Sequence, residues 1–100
     1  MSGWRVRAES ESAQCGHLDG LPDEVASATE CEACVREGTR WVHLRRCLGC
    51  GHVGCCDNSP RRHATAHWRA TEHAVIASAE PDEQWAWCYP DQLLLVPARD

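Results

Sequence analysis

HATAHWRATEH, residues 63–73, places three histidines close behind a run of cysteines. The stretch is predicted to be helical, and on a helix His63 and His67 are four residues apart and therefore share one face. His73 follows six residues later, roughly 240° around an ideal helix, so we expect it just past the helix end. The stretch thus offers three imidazoles, which are common zinc ligands.

The residues around this stretch predict further elements. Ser59 followed by Pro60 is typical of an N-cap with proline at the first helical position, so we expect the helix to begin there and to run to about Glu72. WVHLRRC (41–47) alternates as a short strand would.

The C-terminal third predicts strands. AEPDEQ is a plausible turn, so HAVIAS (73–78) and QWAWCY (84–89) are expected to form a hairpin, and QLLLV (92–96) a short buried strand that closes the sheet. A period of two separates the aromatic and thiol faces of the second hairpin strand. One face carries Trp85, Trp87 and Tyr89, and the other carries Ala86 and Cys88.

The composition indicates a thin apolar core. Phe is absent, Tyr and Met occur once each, and the 43% of hydrophobic residues includes eight cysteines. A chain of 100 residues that is this poor in large apolar side chains usually needs a metal or disulfides to fold. We expect one domain over residues 14–97, with a flexible N-terminal tail at 1–13 and a C-terminal tail at 98–100. The predicted fold class is α+β, a small zinc-stapled domain with a short antiparallel sheet and one main helix.

Two readings of the cysteines are open. A disulfide framework requires an oxidising compartment, but the start MSGWRVRAESESAQ has no apolar segment for secretion. In a reducing cytoplasm, CxxC pairs accompanied by well-spaced histidines are typical of zinc sites. We therefore predict a cytoplasmic zinc protein with no membrane segment, and keep disulfides as the minor alternative.

The charge pattern argues against general binding to nucleic acid. The formal net charge is -5, and all ten cations are arginines. A negatively charged protein is not attracted to phosphate backbones as a whole. The lysine-free, alanine- and arginine-rich composition hints at a bacterial source.

The candidate metal ligands are nearly numerous enough for three tetrahedral sites, each of which takes four side chains. We predict three zinc ions, with two as the minimum. If Cys56 is a spare buried thiol beside the better-spaced Cys55, one ligand is missing. The candidates are Cys15, His17, Cys31, Cys34, Cys47, Cys50, Cys55, Cys56, His63, His67, His73 and Cys88.

The order CxH, CxxC, CxxCGHxxCC, HxxxHxxxxxH and WCYxD resembles the UBP-type zinc finger, the ubiquitin-binding module of some deubiquitinases and a histone deacetylase. The resemblance covers about residues 13–97, and in three-zinc members of that family the ligand sets interleave. It implies one site from Cys31, Cys34, Cys55 and His63, a second from Cys47, Cys50, His67 and His73, and a third that contains Cys15, His17 and Cys88.

The resemblance also locates the missing ligand. Where the third site usually ends in CxxC, this chain reads CYPD, so Asp91 stands in the place of the final cysteine. A carboxylate oxygen is an acceptable zinc ligand. A simple exposed turn aspartate is the competing interpretation.

The same resemblance implies a peptide-binding pocket. Trp87 and Tyr89 match aromatic pocket positions, and Trp41 approximates a third, whereas Trp85 is expected to fill the core. The family's arginine that reads a terminal carboxylate falls at Asp57 in this chain, which argues against ordinary recognition of the ubiquitin C terminus. Because the spacing from Cys55 to His63 is one residue longer than usual, Arg61 or Arg62 could project into the same space.

We expect a monomeric, non-catalytic module that binds a protein or peptide tail. The chain has no HExxH motif and no evident nucleophile paired with a base. The alternative is a zinc enzyme with an open site formed by Cys15, His17 and Cys88, which would hold a water molecule if Asp91 did not bind. Nucleic-acid binding through an arginine cluster is a third, weaker hypothesis.

Overall fold

The computed structural model describes residues 3–7, 16–18, 20–22, 25–81 and 83–97. Its strands form one antiparallel sheet in the order β1-β6-β5-β4-β2-β3. The elements are β1 (Trp4–Val6), α1 (Glu32–Glu37), β2 (Leu44–Cys47), β3 (Val53–Cys55), α2 (His63–Thr71), β4 (Val75–Ser78), β5 (Ala86–Cys88) and β6 (Leu93–Pro97). This arrangement confirms the predicted α+β class, with α2 as the main helix.

The predicted C-terminal strands are present. Strands β4 and β5 form the expected hairpin, with Val75 opposite Cys88, and β6 pairs with the far side of β5. Ala86 and Cys88 are fully buried while Trp87 between them is only partly buried. The alternation along β5 therefore separates a core face from a second, more open face that carries the aromatic rings.

The N-terminal segment contains a strand that the sequence did not predict. Trp4 lies opposite Pro97 in the β1-β6 pair, its side chain is buried, and its indole nitrogen donates to the carbonyl oxygen of Pro22 at 2.9 Å. The expectation of a flexible tail over residues 1–13 is therefore wrong for residues 4–6. The remainder of that tail, apart from residues 3 and 7, and the expected tail at 98–100 lie outside the described residues.

Helix α2 begins later than predicted. Its N-cap is Arg62, which adopts a left-handed φ of 48° and makes no side-chain capping bond. The hydroxyl of Ser59 instead accepts a hydrogen bond from the Val42 backbone amide at 2.8 Å, so it is not available as a cap. The end of the helix is as expected, because Glu72 has a left-handed φ of 62° and His73 follows directly.

Helix α2 packs tightly on β3. A Cβ atom at Gly54 would lie 2.6 Å from the backbone nitrogen of Ala64 in α2. Only a glycine permits this approach, which is closer than Cβ contacts allow. Gly54 therefore lets α2 lie directly against the sheet.

The buried apolar residues form two clusters, and they differ in composition. One is an ordinary apolar core between the sheet and the preceding loops, formed by Trp4, Leu48, Val75, Ala77, Ala86, Cys88 and Leu95. The other consists of Cys31, Ala33, Cys34, Leu44, Cys55 and Ala79, with Leu44 as its one large aliphatic side chain. Hydrocarbon burial alone stabilises this second region weakly. No helix in the described part of the chain is long and apolar enough to cross a membrane.

Candidate metal sites and an aromatic cleft

The first ligand group joins three separate segments of the chain, the start of α1, the end of β3 and the start of α2. It consists of Cys31, Cys34, Cys55 and His63, whose ligand atoms all lie within 4.8 Å of one another. His63 Nδ1 lies 3.4, 3.4 and 3.5 Å from the three sulfur atoms, and two of those sulfurs are 3.8 Å apart. Bond lengths of about 2.3 Å to sulfur and 2.0 Å to nitrogen give tetrahedral edges of roughly 3.8 Å and 3.5 Å. The donor set therefore fits one zinc ion.

The imidazole of His63 is held from its other side. Its Nε2 donates to Glu37 at 3.0 Å, and the guanidinium of Arg61 donates to the other oxygen of Glu37 at 2.9 Å. A carboxylate in this position fixes the tautomer that leaves Nδ1 free to bind metal. Burial raises the pKa of Glu37, but the hydrogen bond from His63 and the charge of Arg61 outweigh it, so the pKa lies below its ordinary value.

The second ligand group lies at the other end of the same helix. It consists of Cys47, Cys50, His67 and His73. Cys50 Sγ lies 3.3 Å from His67 Nε2, and Cys47 Sγ lies 3.6 Å from His73 Nδ1. Gly49 lets the His73 ring reach this position, since a Cβ there would lie 2.9 Å from the ring.

The electrostatics of the second group favour neutral imidazole. Burial lowers the pKa of His67, and the nearby His52 and His73 lower it further. The His52 and His67 rings are 4.2 Å apart at their centroids. Burial raises the pKa of the Cys47 thiol. A metal ion is what allows such a thiol to lose its proton, because the bound form is the thiolate.

The third group is smaller and more exposed. His17, Cys88 and Asp91 come together, whereas Cys15, expected as their partner, lies outside the described residues. Asp91 Oδ2 is 3.4 Å from Cys88 Sγ and 3.0 Å from His17 Nδ1. The carboxylate thus points toward the thiol and the imidazole rather than into solvent.

Cys56 and two further histidines lie outside these three groups. Cys55 belongs to the first group, whereas Cys56 is a buried thiol that lies 3.6 Å from the Ser59 hydroxyl. His43 is in none of the groups found among the described residues, and His52 contacts the second group only through its ring.

A cleft of about 260 Å³ lies between α2 and the open face of the sheet. Asp57, Trp87 and Tyr89, three of the four predicted pocket residues, line it. Its full lining is Arg45, Cys56, Asp57, Asn58, Ala64, Ile76, Trp85, Trp87 and Tyr89.

Two tryptophans differ from expectation. Trp41 does not line the cleft and packs instead against the cysteine-rich cluster, because strand β2 begins only at Leu44 and leaves Trp41 in the preceding loop. Trp85, expected in the core, is a cleft residue. The two-residue period already placed Trp85 on the face of Trp87, so the signal for its position was present in the sequence.

The cleft carries one charge of each sign. Arg45, on β2, stacks its guanidinium 4.5 Å above the Trp85 ring and lies 3.9 Å from Glu83. Asp57 accepts a hydrogen bond from the Thr65 hydroxyl at 2.5 Å. Neither Arg61 nor Arg62 lines the cleft, and Arg61 is engaged with Glu37.

Tyr89 is held rigidly at the helix side of the cleft. Its ring stacks on Trp68 of α2 with centroids 4.4 Å apart and planes 4° from parallel. Its hydroxyl lies 3.3 Å from that of Thr65, which also contacts Asp57. Helix and strand therefore fix the relative positions of the carboxylate and the phenol ring.

Three contributing residues were missed by sequence reasoning. Glu37, Arg45 and Thr65 make contacts between segments far apart in the chain, and no local pattern marks them.

Comparison with known proteins adds an independent finding. The family described as a zinc finger in ubiquitin hydrolases and other proteins matches residues 31–96. An NAD-dependent deacetylase, sir2A, of Dictyostelium discoideum is 33% identical over 67 residues, which is 67% of this chain but 12% of that protein. The chain thus spans about an eighth of that relative.

A solved structure is similar over most of its length. The solution NMR structure of protein RPA1320 from Rhodopseudomonas palustris superposes with a TM-score of 0.73 and 47% sequence identity. The match covers 85% of this chain and 83% of that one. At this identity and TM-score the two chains share the same fold.

Proposed function

Because this chain belongs to the family of zinc fingers found in ubiquitin hydrolases and other proteins, we propose that it is an interaction module in which structural zinc fixes an aromatic cleft for a peptide or protein tail. One observation carries the proposal. Three residues that line the cleft follow ligand residues by one or two positions in the sequence. Ala64 follows His63, Tyr89 follows Cys88, and Asp57 comes two residues after Cys55.

The zinc complement is three ions with separate ligand sets. The first two groups each supply four thiolate or imidazole donors, which leaves no coordination position for water. In the third, Asp91 joins Cys15, His17 and Cys88 as the fourth ligand. Sites closed in this way hold structure together, and the reducing cytoplasm in which we place the protein keeps their thiols available.

The competing function is a zinc enzyme with an open third site. It requires Asp91 to stay off the metal, whereas Asp91 Oδ2 lies 3.4 Å from Cys88 Sγ. Cobalt substitution separates the two cases. A closed site gives a spectrum that added azide does not change, while an azide-dependent change that is confined to the third site supports the enzyme.

The charge of Asp57 in the cleft determines which kind of peptide tail can bind. A carboxylate in the cleft repels a free C terminus, and the cation in the lining, Arg45, has part of its charge offset by Glu83. We therefore propose that the module does not read the ubiquitin C terminus. The ligand contributes a segment with no terminal carboxylate in the cleft.

Calorimetric titration with peptides that end in Gly-Gly tests this proposal. Each peptide is prepared with a free carboxylate and as the amide. The proposal requires that the free acid binds no more tightly than the amide, and that Asp57→Arg raises affinity for the free acid alone. Tight binding that needs the free carboxylate and is lost in Arg45→Gln would overturn it, because Arg45 would then be the carboxylate-reading residue.

A further inference from the structure

We propose that the group of the partner that enters the cleft is an ammonium on an alkyl chain, a lysine side chain that is either unmodified or N-methylated. The inference rests on the proposed function and names the chemistry of its ligand. It follows from a carboxylate without a cationic partner, from the adjoining aromatic faces and from the composition of the chain itself.

The Asp57 carboxylate forms no ion pair with the described residues. It is exposed, lines the cleft and accepts one hydrogen bond, from the Thr65 hydroxyl. Within the described ranges, no arginine or histidine nitrogen lies within 4.0 Å of its oxygens. The Thr65 bond uses Oδ1 and orients the carboxylate, which leaves Oδ2 for a ligand.

The aromatic walls are suited to a cation. The electron-rich faces of indole and phenol rings attract ammonium and guanidinium groups that approach within about 6 Å of the ring centre. The cleft already contains such a contact, since the Arg45 guanidinium lies 4.5 Å above Trp85. Trp87 and Tyr89 follow Trp85 at intervals of two residues and also line the cleft. Tyr89 lies beside Thr65, which bonds to Asp57.

Arg45 and Asp57 line the cleft from different segments of the chain. Arg45 is opposite Ser78, whose amide bonds to Trp85, so the arginine is level with the start of β5. Asp57 is connected through Thr65 to Tyr89, beyond the end of the same strand. An ammonium beside Asp57 is attracted by the carboxylate, and its repulsion from the Arg45 guanidinium is reduced because that group lies 3.9 Å from Glu83.

Lysine fits this arrangement better than arginine. Its alkyl chain can lie along the apolar lining provided by Ile76 and Trp87, while the ammonium reaches the carboxylate. The chain contains no lysine, so it offers no such group of its own to compete for the cleft. The same chemistry accommodates N-methylated lysine, in which the rings contribute more and the carboxylate less.

NMR titration of the zinc-loaded protein with short peptides tests the inference. The peptides are capped at both ends and differ only at a central residue, which is lysine, trimethyl-lysine, acetyl-lysine or norleucine. We expect the first two to bind at least tenfold more tightly than the neutral pair and to shift the indole N–H of Trp87. A preference for trimethyl-lysine over lysine identifies the methylated form as the ligand.

Matched variants separate charge from structure. Asp57→Asn keeps the shape of the side chain, and we expect it to weaken lysine binding roughly tenfold and trimethyl-lysine binding less. Trp87→Ala should weaken both. Arg69→Gln, which removes an exposed positive charge outside the cleft, is the control for general electrostatics and should not weaken either, and metal content confirms that each variant is folded.

Equal binding of the lysine and norleucine peptides would overturn the inference and leave the proposed function intact. Full lysine affinity in Asp57→Asn would also overturn it. If none of the capped peptides and none of the Gly-Gly peptides binds, both the inference and the proposed function fail.

Discussion

His63 and His67 stand one turn apart on α2, yet their imidazoles belong to different ligand groups. His63 meets the sulfurs of Cys31, Cys34 and Cys55, whereas His67 lies with Cys47, Cys50 and His73. Two ions bound in this way would attach the same helix to α1 and β3 on one side and to the β2-β3 turn on the other. The helix would therefore be positioned by coordination more than by its apolar surface.

Removal of zinc should unfold the domain. Structural zinc contributes on the order of 10 kcal/mol of apparent binding free energy per site, and the cysteine-rich cluster has one large aliphatic side chain to replace it. Native mass spectrometry should show three ions, and circular dichroism with excess chelator should show loss of structure. Cooperative unfolding of a verified metal-free sample would contradict this expectation.

Substitution of either helix histidine should remove one ion. We expect His63→Ala and His67→Ala each to lower the metal content by one, because the two side chains serve different groups. His52→Ala is the control, since His52 contacts the His67 ring without belonging to a group. Loss of both ions from the His67 variant, with the fold otherwise retained, would indicate a shared cluster instead.

Glu37 should raise the metal affinity of the first ligand group. The Glu37→Gln variant retains the size of the side chain but weakens the hold on His63 Nε2. Loss of such a carboxylate partner typically costs 10- to 100-fold in metal affinity. Competition with a fluorescent chelator measures it, and the second site, which Glu37 does not contact, should keep its affinity as an internal reference.

Gly54 should not tolerate a side chain. In Gly54→Ala the new methyl group would lie 2.6 Å from the Ala64 amide nitrogen, so α2 or β3 must shift. We expect a loss of about 1–3 kcal/mol in the free energy of unfolding, measured by denaturant titration. Gly16→Ala, which meets nothing within 4 Å, is the matched control. Equal stability of the two variants would show that the helix is not fixed against the strand.

Glu83 should make part of the stability pH-dependent. The hydrogen bond from Ser78, with the charge of Arg45, lowers its pKa below 4.5 against the opposing effect of burial. A carboxyl with a lowered pKa in the folded state contributes stability above its unfolded value, and that contribution is lost as pH falls through the folded value. Wild type should therefore exceed Glu83→Gln by roughly 0.5–1 kcal/mol at neutral pH.

That difference should shrink below pH 4.5. Denaturant titrations of both proteins across this range, with metal content checked at each pH, measure it. A difference that does not change with pH would mean that the Glu83 carboxylate is not responsible.

Local patterns predicted what depends on neighbours in the chain. The hairpin from Val75 to Cys88 and the helix end at Glu72 follow from alternation and spacing, and both are present. The start of α2 was predicted wrongly, because Ser59 bonds to Val42 seventeen residues earlier instead of capping the helix. A short stretch of sequence around Ser59 does not include Val42, so it cannot show that the two residues bond to each other.

Prediction of the cleft residues was limited in the same way, because local patterns do not contain contacts between distant segments. Trp87 and Tyr89 were predicted as pocket residues from the strand period and the family resemblance, and both line the cleft. Trp41 was not, because its position depends on where β2 begins. Arg45 became a cleft residue through cross-strand register with Ser78, which only the assembled sheet defines.

Tyr89 follows Cys88 directly. One peptide bond therefore joins the residue whose ring lines the cleft to the residue whose thiol belongs to the third ligand group. If zinc at that thiol strengthens capture of a partner, thermodynamic reciprocity requires that the captured partner strengthens retention of the zinc by the same factor. The complex would then hold its metal more tightly than the free protein, and scarcity of zinc in the cell would empty the third site of unoccupied copies first.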